Sequence, residues 1–239
     1  MGRNGKPADE VHYMSTRHNA TDAERALAVF PAGSNGEFNL PPDLTTVIAV
    51  AKGAEVWDTT GKHYLDFSMA SGSVLVGHAR PEVTETVVRQ APLGGNVFCV
   101  NENALALAEE IVRLSPACER VRFCASGTEA TLYCVRLAHG FTNRNKILKF
   151  EGAYHGAHDT SLTSFLPRRL LDFPRPEPSD AGGVDPEGHV LVAPYNDLET
   201  TQAIIEKHRE ELAAVLAEPL QRCTVPKPGF LEGLRAATA

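Results

Sequence analysis

Short apolar segments alternate with helical patterns over the second half of the chain, and this alternation restricts the possible folds more than any other feature. Four apolar runs predict strands, at 121–125, 146–150, 189–197 and 213–219. Helices are predicted between them, over 126–140 and from Leu198 to about Glu211. Strands that are separated by helices usually join in parallel through right-handed crossovers. We therefore expect an α/β fold with a mostly parallel sheet.

The first part of the chain has a different pattern. Residues 45–67 hold two β-rich runs on either side of Thr59–Lys62, which predicts a hairpin. A helix is predicted from Pro81, since proline suits a first helical turn, and another over 102–114. Proline and glycine interrupt 31–43 throughout, so no regular element is expected there.

These patterns predict two domains. Residues 1–95 are expected to form an N-terminal segment with a small β-hairpin, and 96–239 a larger domain that contains the parallel sheet. Within the larger domain, 166–189 holds five prolines and three glycines and is expected to be irregular. A last helix is predicted to begin after Pro228-Gly229.

Composition and charge exclude several classes of function. The chain has 23 Lys and Arg against 30 Asp and Glu, a net charge of −7, which argues against binding nucleic acid or anionic membranes. No run reaches the roughly 18 apolar residues of a membrane span, and the N-terminus lacks a signal-peptide pattern. The five cysteines form no CxxC pair, so we expect reduced thiols in a cytoplasmic protein and no structural zinc.

A predicted strand-to-helix turn at Ser126–Thr128 is suited to binding a phosphate. Ser126 and Glu129 have the spacing of a capping box, and Gly127 lets a ligand approach the backbone closely. The free N–H groups of a first helical turn attract anions, and Thr128 adds a hydroxyl. The alternative is a capped helix that binds no ligand.

A second group of candidate residues follows the predicted strand at 146–150. Tyr154 lies between small residues, so its ring can face an open site and stack on an aromatic ligand. His155, His158 and Asp159 suggest a metal hydrolase as one alternative, but their spacing matches no zinc pattern. The other alternative is a pair of hydrogen-bonded loop histidines, and we expect no metal.

Glu218 is the third candidate. It ends the apolar run at 213–219, and open α/β sheets bind ligands at the carboxyl ends of their strands. The alternative is a surface glutamate at a strand end.

Four segments taken together are more specific than any one of them. They are SGTEATLYCVRLAHGFTNRNKILKFEGAYHGAHD (126–159), APYNDLE (193–199), AAVLAEP (213–219) and PKPGFLEGLR (226–235). In this order they resemble class III aminotransferases, most of all the glutamate-1-semialdehyde aminomutase branch. VWDTTGKHYLDF (56–67) and VGHARPEV (76–83) resemble the N-terminal segment of the same family.

The resemblance implies a fold type I transferase that uses pyridoxal 5′-phosphate and transfers an amino group between an amine or amino acid and a carbonyl compound. It implies that Ser126, Gly127 and Thr128 hold the cofactor phosphate. Tyr154 would stack on the pyridine ring with His155 beside it, and Glu218 would support the polar network near the ring. The family also implies a homodimer.

The same resemblance implies that two catalytic groups follow position 239. These are the Asp that pairs with the pyridinium nitrogen and the Lys that forms the Schiff base. None of the seven lysines of this sequence stands in the matching context. We therefore expect the chain to be the N-terminal part of such an enzyme, with an incomplete large domain, exposed apolar helix faces and no turnover by itself.

Two positions favour an aminotransferase over an aminomutase. Where the aminomutase branch has an Arg and a Trp, this chain has Asn39 and Ser71, which removes a carboxylate clamp and an aromatic wall. The aminomutase stays an alternative. A non-catalytic subunit that binds pyridoxal phosphate, or that partners a separate second half, is the other.

Overall fold

The computed structural model describes residues 21–34, 45–95, 97–182 and 188–239. Asn39 therefore lies outside the described residues. The chain divides into two compact units, Met1–Ala106 and Leu107–Ala239. The domain boundary expected at residue 95 stays a prediction. Among the described residues, no helix is both long enough and apolar enough to cross a membrane.

The first unit contains a small antiparallel sheet. Its strands are β1 (Ile48–Lys52), β2 (Glu55–Asp58) and β3 (His63–Leu65), and they pair in that order. The predicted hairpin is β2–β3, and its turn is closed by the Asp58 carboxylate, which accepts from the Thr60 and Lys62 N–H groups. The first β-rich run forms two strands because the chain also turns at Gly53, where φ is +60°.

Three helices accompany this sheet along the chain: α1 (Asp22–Val29), α2 (Pro81–Gln90) and α3 (Glu102–Leu114). The helices from Pro81 and over 102–114 are therefore confirmed. The sequence reading missed α1, although Thr21 and Glu24 form a full capping box, in which each side chain accepts from the other residue's N–H group. That Thr-x-x-Glu spacing was the available signal.

The second unit contains the parallel sheet. Strands β4 (Lys146–Phe150), β5 (Val190–Ala193) and β6 (Leu212–Leu216) pair in the order β5-β4-β6, and both pairs are parallel. Four helices accompany these strands along the chain: α4 (Gly127–Thr142) before β4, α5 (Asp159–Leu162) and α6 (Leu198–Lys207) between the strands, and α7 (Phe230–Ala237) after β6. This confirms the expected α/β class and the mostly parallel sheet.

A hydrophobic cluster joins one face of the sheet to α6 and α7. Its members are Leu148, Phe150, Ala153, Leu191, Ala193, Ile204, Ile205, Leu212, Phe230 and Leu234. The Phe150 ring packs edge-on against Tyr195 and Phe230, with centroids 5.5 and 5.6 Å apart. Aromatic edge-to-face contacts of this kind add to the energy of burial. The central strand β4 is thereby fixed, and with it the loop that follows.

The strand predicted at 121–125 is wrong. No strand pairing involves this segment among the described residues, and the Phe123 side chain is 48% exposed. Its apolar residues suit a strand, but a β-strand exists only where a neighbour supplies the hydrogen bonds. The segment runs into α4 without joining the three-stranded sheet.

Helix α4 confirms the helix predicted over 126–140, and its apolar residues lie on both of its faces. Ala130, Cys134, Leu137 and Phe141 recur at helical spacing, yet Leu137 and Phe141 are 66% and 93% exposed. The buried residue of α4 is Val135, which is 6% exposed. Residues four apart share a helix face, so Thr131, Val135 and His139 mark the inner side. Both faces carry apolar residues, and spacing alone could not say which one packs.

Candidate functional site

The carboxyl ends of β4 and β6 lie side by side, because these two strands are parallel neighbours. The loop after β4 carries Tyr154 and His155, and the segment after β6 carries Glu218. Open α/β sheets bind their ligands at this edge. The Tyr154–His155 group and Glu218, two of the three predicted groups, therefore lie at the same edge of the sheet.

The N-terminus of α4 supplies the third group. Ser126 caps the helix, since its Oγ accepts from the Glu129 N–H at 3.2 Å. The reciprocal half of the predicted capping box is shifted by one residue, because the Glu129 carboxylate accepts from Ala125 N–H at 2.8 Å. The Gly127 and Thr128 N–H groups make no hydrogen bond within the described ranges. They are the unpaired donors of a first helical turn.

Direct contacts join this helix end to the loop after β4. Thr128 Oγ1 accepts from Ala157 N–H at 3.0 Å, and the Thr131 hydroxyl donates to the His155 carbonyl. Gly156 makes the approach possible: its φ is +110°, and a Cβ there would lie 2.6 Å from the Thr128 Cα. No Cβ tolerates so short a contact with backbone, so the close approach requires glycine.

Glu218 and Tyr154 are joined through the backbone. The Tyr154 N–H donates to Glu218 Oε1 at 2.8 Å, and the Arg222 N–H donates to Glu218 Oε2 at 3.2 Å. The half-buried Tyr154 ring lies 5.1 Å from the ring of Phe165, tilted by 55°. Glu218 therefore fixes the backbone that carries the aromatic ring, besides standing at the strand end itself.

His155 is buried beside this ring. Its N–H donates to Ser161 Oγ at 2.8 Å, while its Nε2 has no hydrogen-bond partner. Burial lowers the pKa of His155 to about 4, and the nearby positive charge of Lys149 adds to the effect. The imidazole is consequently neutral at pH 7 and carries an unused polar atom.

Lys149 is a component of the site that the sequence did not reveal. Its side chain is fully buried, and its Nζ donates to the carbonyls of Ala153 at 3.1 Å, of Thr163 at 2.7 Å and of Ser161. Burial lowers the pKa of Lys149 to about 8, although the Glu218 carboxylate opposes the shift. These bonds hold both ends of the loop that carries Tyr154 and His155.

The structure does not assemble a metal centre from His155, His158 and Asp159. His158 Nε2 lies 3.2 Å from Thr131 Oγ1, and Asp159 begins α5. Within the described part of the chain, no three His, Cys, Asp or Glu side chains are placed to hold a metal ion. Burial lowers the pKa of His158 as well. The two histidines contact α4 and its loop instead.

Comparison with known proteins identifies relatives along most of the chain. The family model described as "Aminotransferase class-III" matches residues 40–239. A glutamate-1-semialdehyde 2,1-aminomutase from Polynucleobacter asymbioticus is 40% identical over 227 residues, which cover 90% of this chain and 52% of that protein. The chain thus spans about half the length of the curated relatives it matches.

Solved structures agree with this assignment. An omega-transaminase from Sphaerobacter thermophilus superposes with a TM-score of 0.79 at 33% identity, covering 91% of this chain and 51% of that one. A transaminase solved with pyridoxal phosphate bound superposes with a TM-score of 0.80 at 29% identity, covering 90% and 51%. The family resemblance read from the sequence segments is therefore confirmed.

Proposed function

The chain belongs to the class III aminotransferase family, and on that premise we propose that its site binds pyridoxal 5′-phosphate for amino-group transfer between an amine or amino acid and a carbonyl compound. The observation that carries the proposal is the meeting of three groups at one sheet edge. These are the helix end at Ser126–Thr128, the Tyr154 ring and Glu218. This combination suits a phosphorylated aromatic ligand.

The residues present fit that cofactor. The unpaired N–H groups of Gly127 and Thr128 are donors for a phosphate at the positive end of the helix dipole. A Cβ on Gly127 would meet no atom within 4 Å, so space for the phosphate exists beside it. The buried His155 Nε2 lacks a partner and is available to a polar ligand atom. An aromatic ring and a carboxylate complete the set.

Each residue has a role that its contacts support. Ser126, Gly127 and Thr128 hold the phosphate, the Tyr154 ring packs on the pyridine ring, and neutral His155 lies beside it. Glu218 keeps the Tyr154 backbone in place. When bound, pyridoxal phosphate supplies an electron sink for the carbon next to the transferred nitrogen. The protein contributes the position of the ligand and the charges around it.

An aminomutase is the second candidate, favoured by the name of the 40%-identical relative. It would use the same phosphate and ring contacts, so the site residues do not separate the two reactions. Conversion of glutamate 1-semialdehyde, assayed beside amino transfer to pyruvate in an intact version that also carries the expected Asp and Schiff-base Lys, distinguishes them. Robust conversion with no amino transfer would overturn the aminotransferase proposal. Homodimer formation and the absence of turnover by this chain alone stay predictions.

Binding of pyridoxamine 5′-phosphate tests the site without depending on turnover. This amine cannot form an imine with lysine, so binding through the seven lysines is excluded as a cause of the signal. We expect it to bind about tenfold or more tightly than pyridoxamine, since a hydrogen bond to a charged group contributes about 1.5–3 kcal/mol. Ligand fluorescence follows the titration.

Ser126→Asp is the matched variant. Asp caps helices as well as Ser does, so the fold is retained, but its negative charge repels the phosphate. The variant should therefore bind pyridoxamine 5′-phosphate no more tightly than pyridoxamine, with an unchanged melting temperature. Equal affinity for the two ligands in the wild type would overturn the proposal, as would phosphate discrimination that survives Ser126→Asp.

A further inference from the structure

Arg222 is held in a fixed position at the sheet edge by its backbone and its side chain. Its φ is +57°, a left-handed conformation that is uncommon for residues other than glycine. The Arg222 N–H donates to Glu218 Oε2 at 3.2 Å, and its Nε donates to the Gly152 carbonyl at 3.2 Å. These restraints are unusual for a long exposed side chain. Through the bonds to Glu218 and Gly152 they hold the guanidinium beside the proposed cofactor site.

Two aromatic rings support the same guanidinium. The Arg222 Cζ lies 4.4 Å from the centroid of the Phe165 ring and 6.0 Å from that of Tyr154. Arginine stacks well on aromatic faces, and stacking leaves the edge of its planar group open. The site therefore presents a cation whose orientation is set before any ligand arrives.

The outer edge of this guanidinium is unused. Neither terminal nitrogen has a hydrogen bond to another described residue, and none of the described carboxylates forms an ion pair with it. Glu218, the acid in contact with the Arg222 backbone, is engaged by two N–H groups instead. A pair of parallel N–H donors is the geometry that binds a carboxylate at two points.

The loop after β4 contacts both the start of α4 and Arg222. Thr128, at the proposed phosphate end, is bonded to Ala157, whereas Arg222 is bonded to Gly152. Along the chain, Tyr154 lies between these two contact points. The Arg222 Cζ lies 6.0 Å from the centroid of the Tyr154 ring, so a ligand whose ring lies on Tyr154 is within reach of the guanidinium.

From this arrangement we propose that Arg222 binds the carboxylate of the substrate, so that the substrate is an amino acid and not a simple amine. The proposal rests on the proposed function, because a cofactor ring on Tyr154 is what would bring the substrate close to Arg222. Arg222 is then a specificity-determining residue. Its guanidinium distinguishes substrates by their carboxylate, a group that does not react during amino transfer.

Two stable adducts that differ only in the carboxylate test this assignment. They are N-(5′-phosphopyridoxyl)alanine and N-(5′-phosphopyridoxyl)ethylamine, titrated against the whole chain. We expect the alanine adduct to bind about tenfold more tightly, as a charge-assisted pair implies. Arg222→Leu should bring the ratio of the two affinities close to one. Arg222→Lys should retain part of it, since the charge remains while the fork is lost.

The ratio of the two affinities separates the role of Arg222 from a general loss of structure, because damage to the fold weakens the binding of both adducts equally. Arg169→Leu removes the same charge from an exposed arginine and should leave the ratio as in the wild type. A ratio of one in the wild type, or an undiminished ratio in Arg222→Leu, overturns the role of Arg222. If pyridoxamine 5′-phosphate still binds in that case, the proposed function stands; if no phosphopyridoxyl ligand binds, both fail.

Discussion

Gly156 and Thr128 approach so closely that a Cβ on Gly156 would lie 2.6 Å from the Thr128 Cα and 2.9 Å from its Oγ1. The neighbouring Ala157 N–H donates to that same hydroxyl. The start of α4 and the loop after β4 are therefore in close contact, and this contact is possible only because Gly156 has no side chain.

Gly156→Ala should lower the free energy of unfolding by about 2–4 kcal/mol, since it adds both backbone strain and a steric clash. Gly182→Ala is the control, because its φ is +98° but a Cβ there would meet no atom within 4 Å. It should cost about 1 kcal/mol, from backbone strain alone. Urea unfolding measures both. Equal losses would show that the contact with Thr128 is unimportant.

Lys149→Met should lower the free energy of unfolding by about 2–4 kcal/mol, because it leaves the buried carbonyls of Ala153, Ser161 and Thr163 without their donor. Lys146→Met, on the same strand, removes an ion pair to Glu211 with a half-exposed carboxylate and should cost at most about 1 kcal/mol. Chemical denaturation compares the two. A loss for Lys149→Met as small as that of Lys146→Met would contradict the anchoring role.

His155 should make stability depend on pH between about 4 and 6.5. Burial lowers its pKa to about 4 in the folded chain, so below pH 6.5 the unfolded chain binds a proton that the folded chain does not. Stability therefore falls as the pH drops through this window, by up to about 3 kcal/mol.

The difference between wild type and His155→Gln isolates that contribution. The wild type should lose more unfolding free energy than the variant between pH 7 and pH 4.5, measured by urea titration at each pH. His63→Gln replaces a histidine whose side chain is 45% exposed and should keep the wild-type slope. Parallel pH curves for wild type and His155→Gln would refute the buried neutral imidazole.

The two faces of α4 should respond differently to substitution. Phe141→Ser removes a side chain that is 93% exposed, so the free energy of unfolding should change by no more than about 0.5 kcal/mol, while aggregation falls. Val135→Ala, on the buried side, should cost about 1–3 kcal/mol. Denaturation and size-exclusion chromatography measure these effects. A clearly destabilising Phe141→Ser would contradict the exposure of this face.

Local patterns predicted the parts of the fold that depend on local chemistry. The apolar runs that became β4, β5 and β6 are short and nearly continuous, which is typical of buried parallel strands. The Ser126 cap and the candidate residues Tyr154 and Glu218 followed from turn chemistry and strand ends. The failed strand at 121–125 depended on a partner, which no local pattern contains.

Lys149 shows why the rest of the site could not be found in this way. Lysine is usually a surface residue, so a lysine between Leu148 and Phe150 reads as an interruption of the strand. Its burial depends on carbonyls contributed by Ser161 and Thr163, more than ten positions later. The one local signal was that both neighbours in the strand are apolar.

The contacts of Thr128 and Thr131 with the loop after β4 also have a consequence for ligand size. Because these contacts join the helix end to the Tyr154 loop, they fix the distance between the unpaired N–H groups of α4 and the Tyr154 ring. Such a site selects ligands by the distance between their phosphate and their ring. A cofactor analogue with one extra methylene between phosphate and ring would have to give up one contact to keep the other.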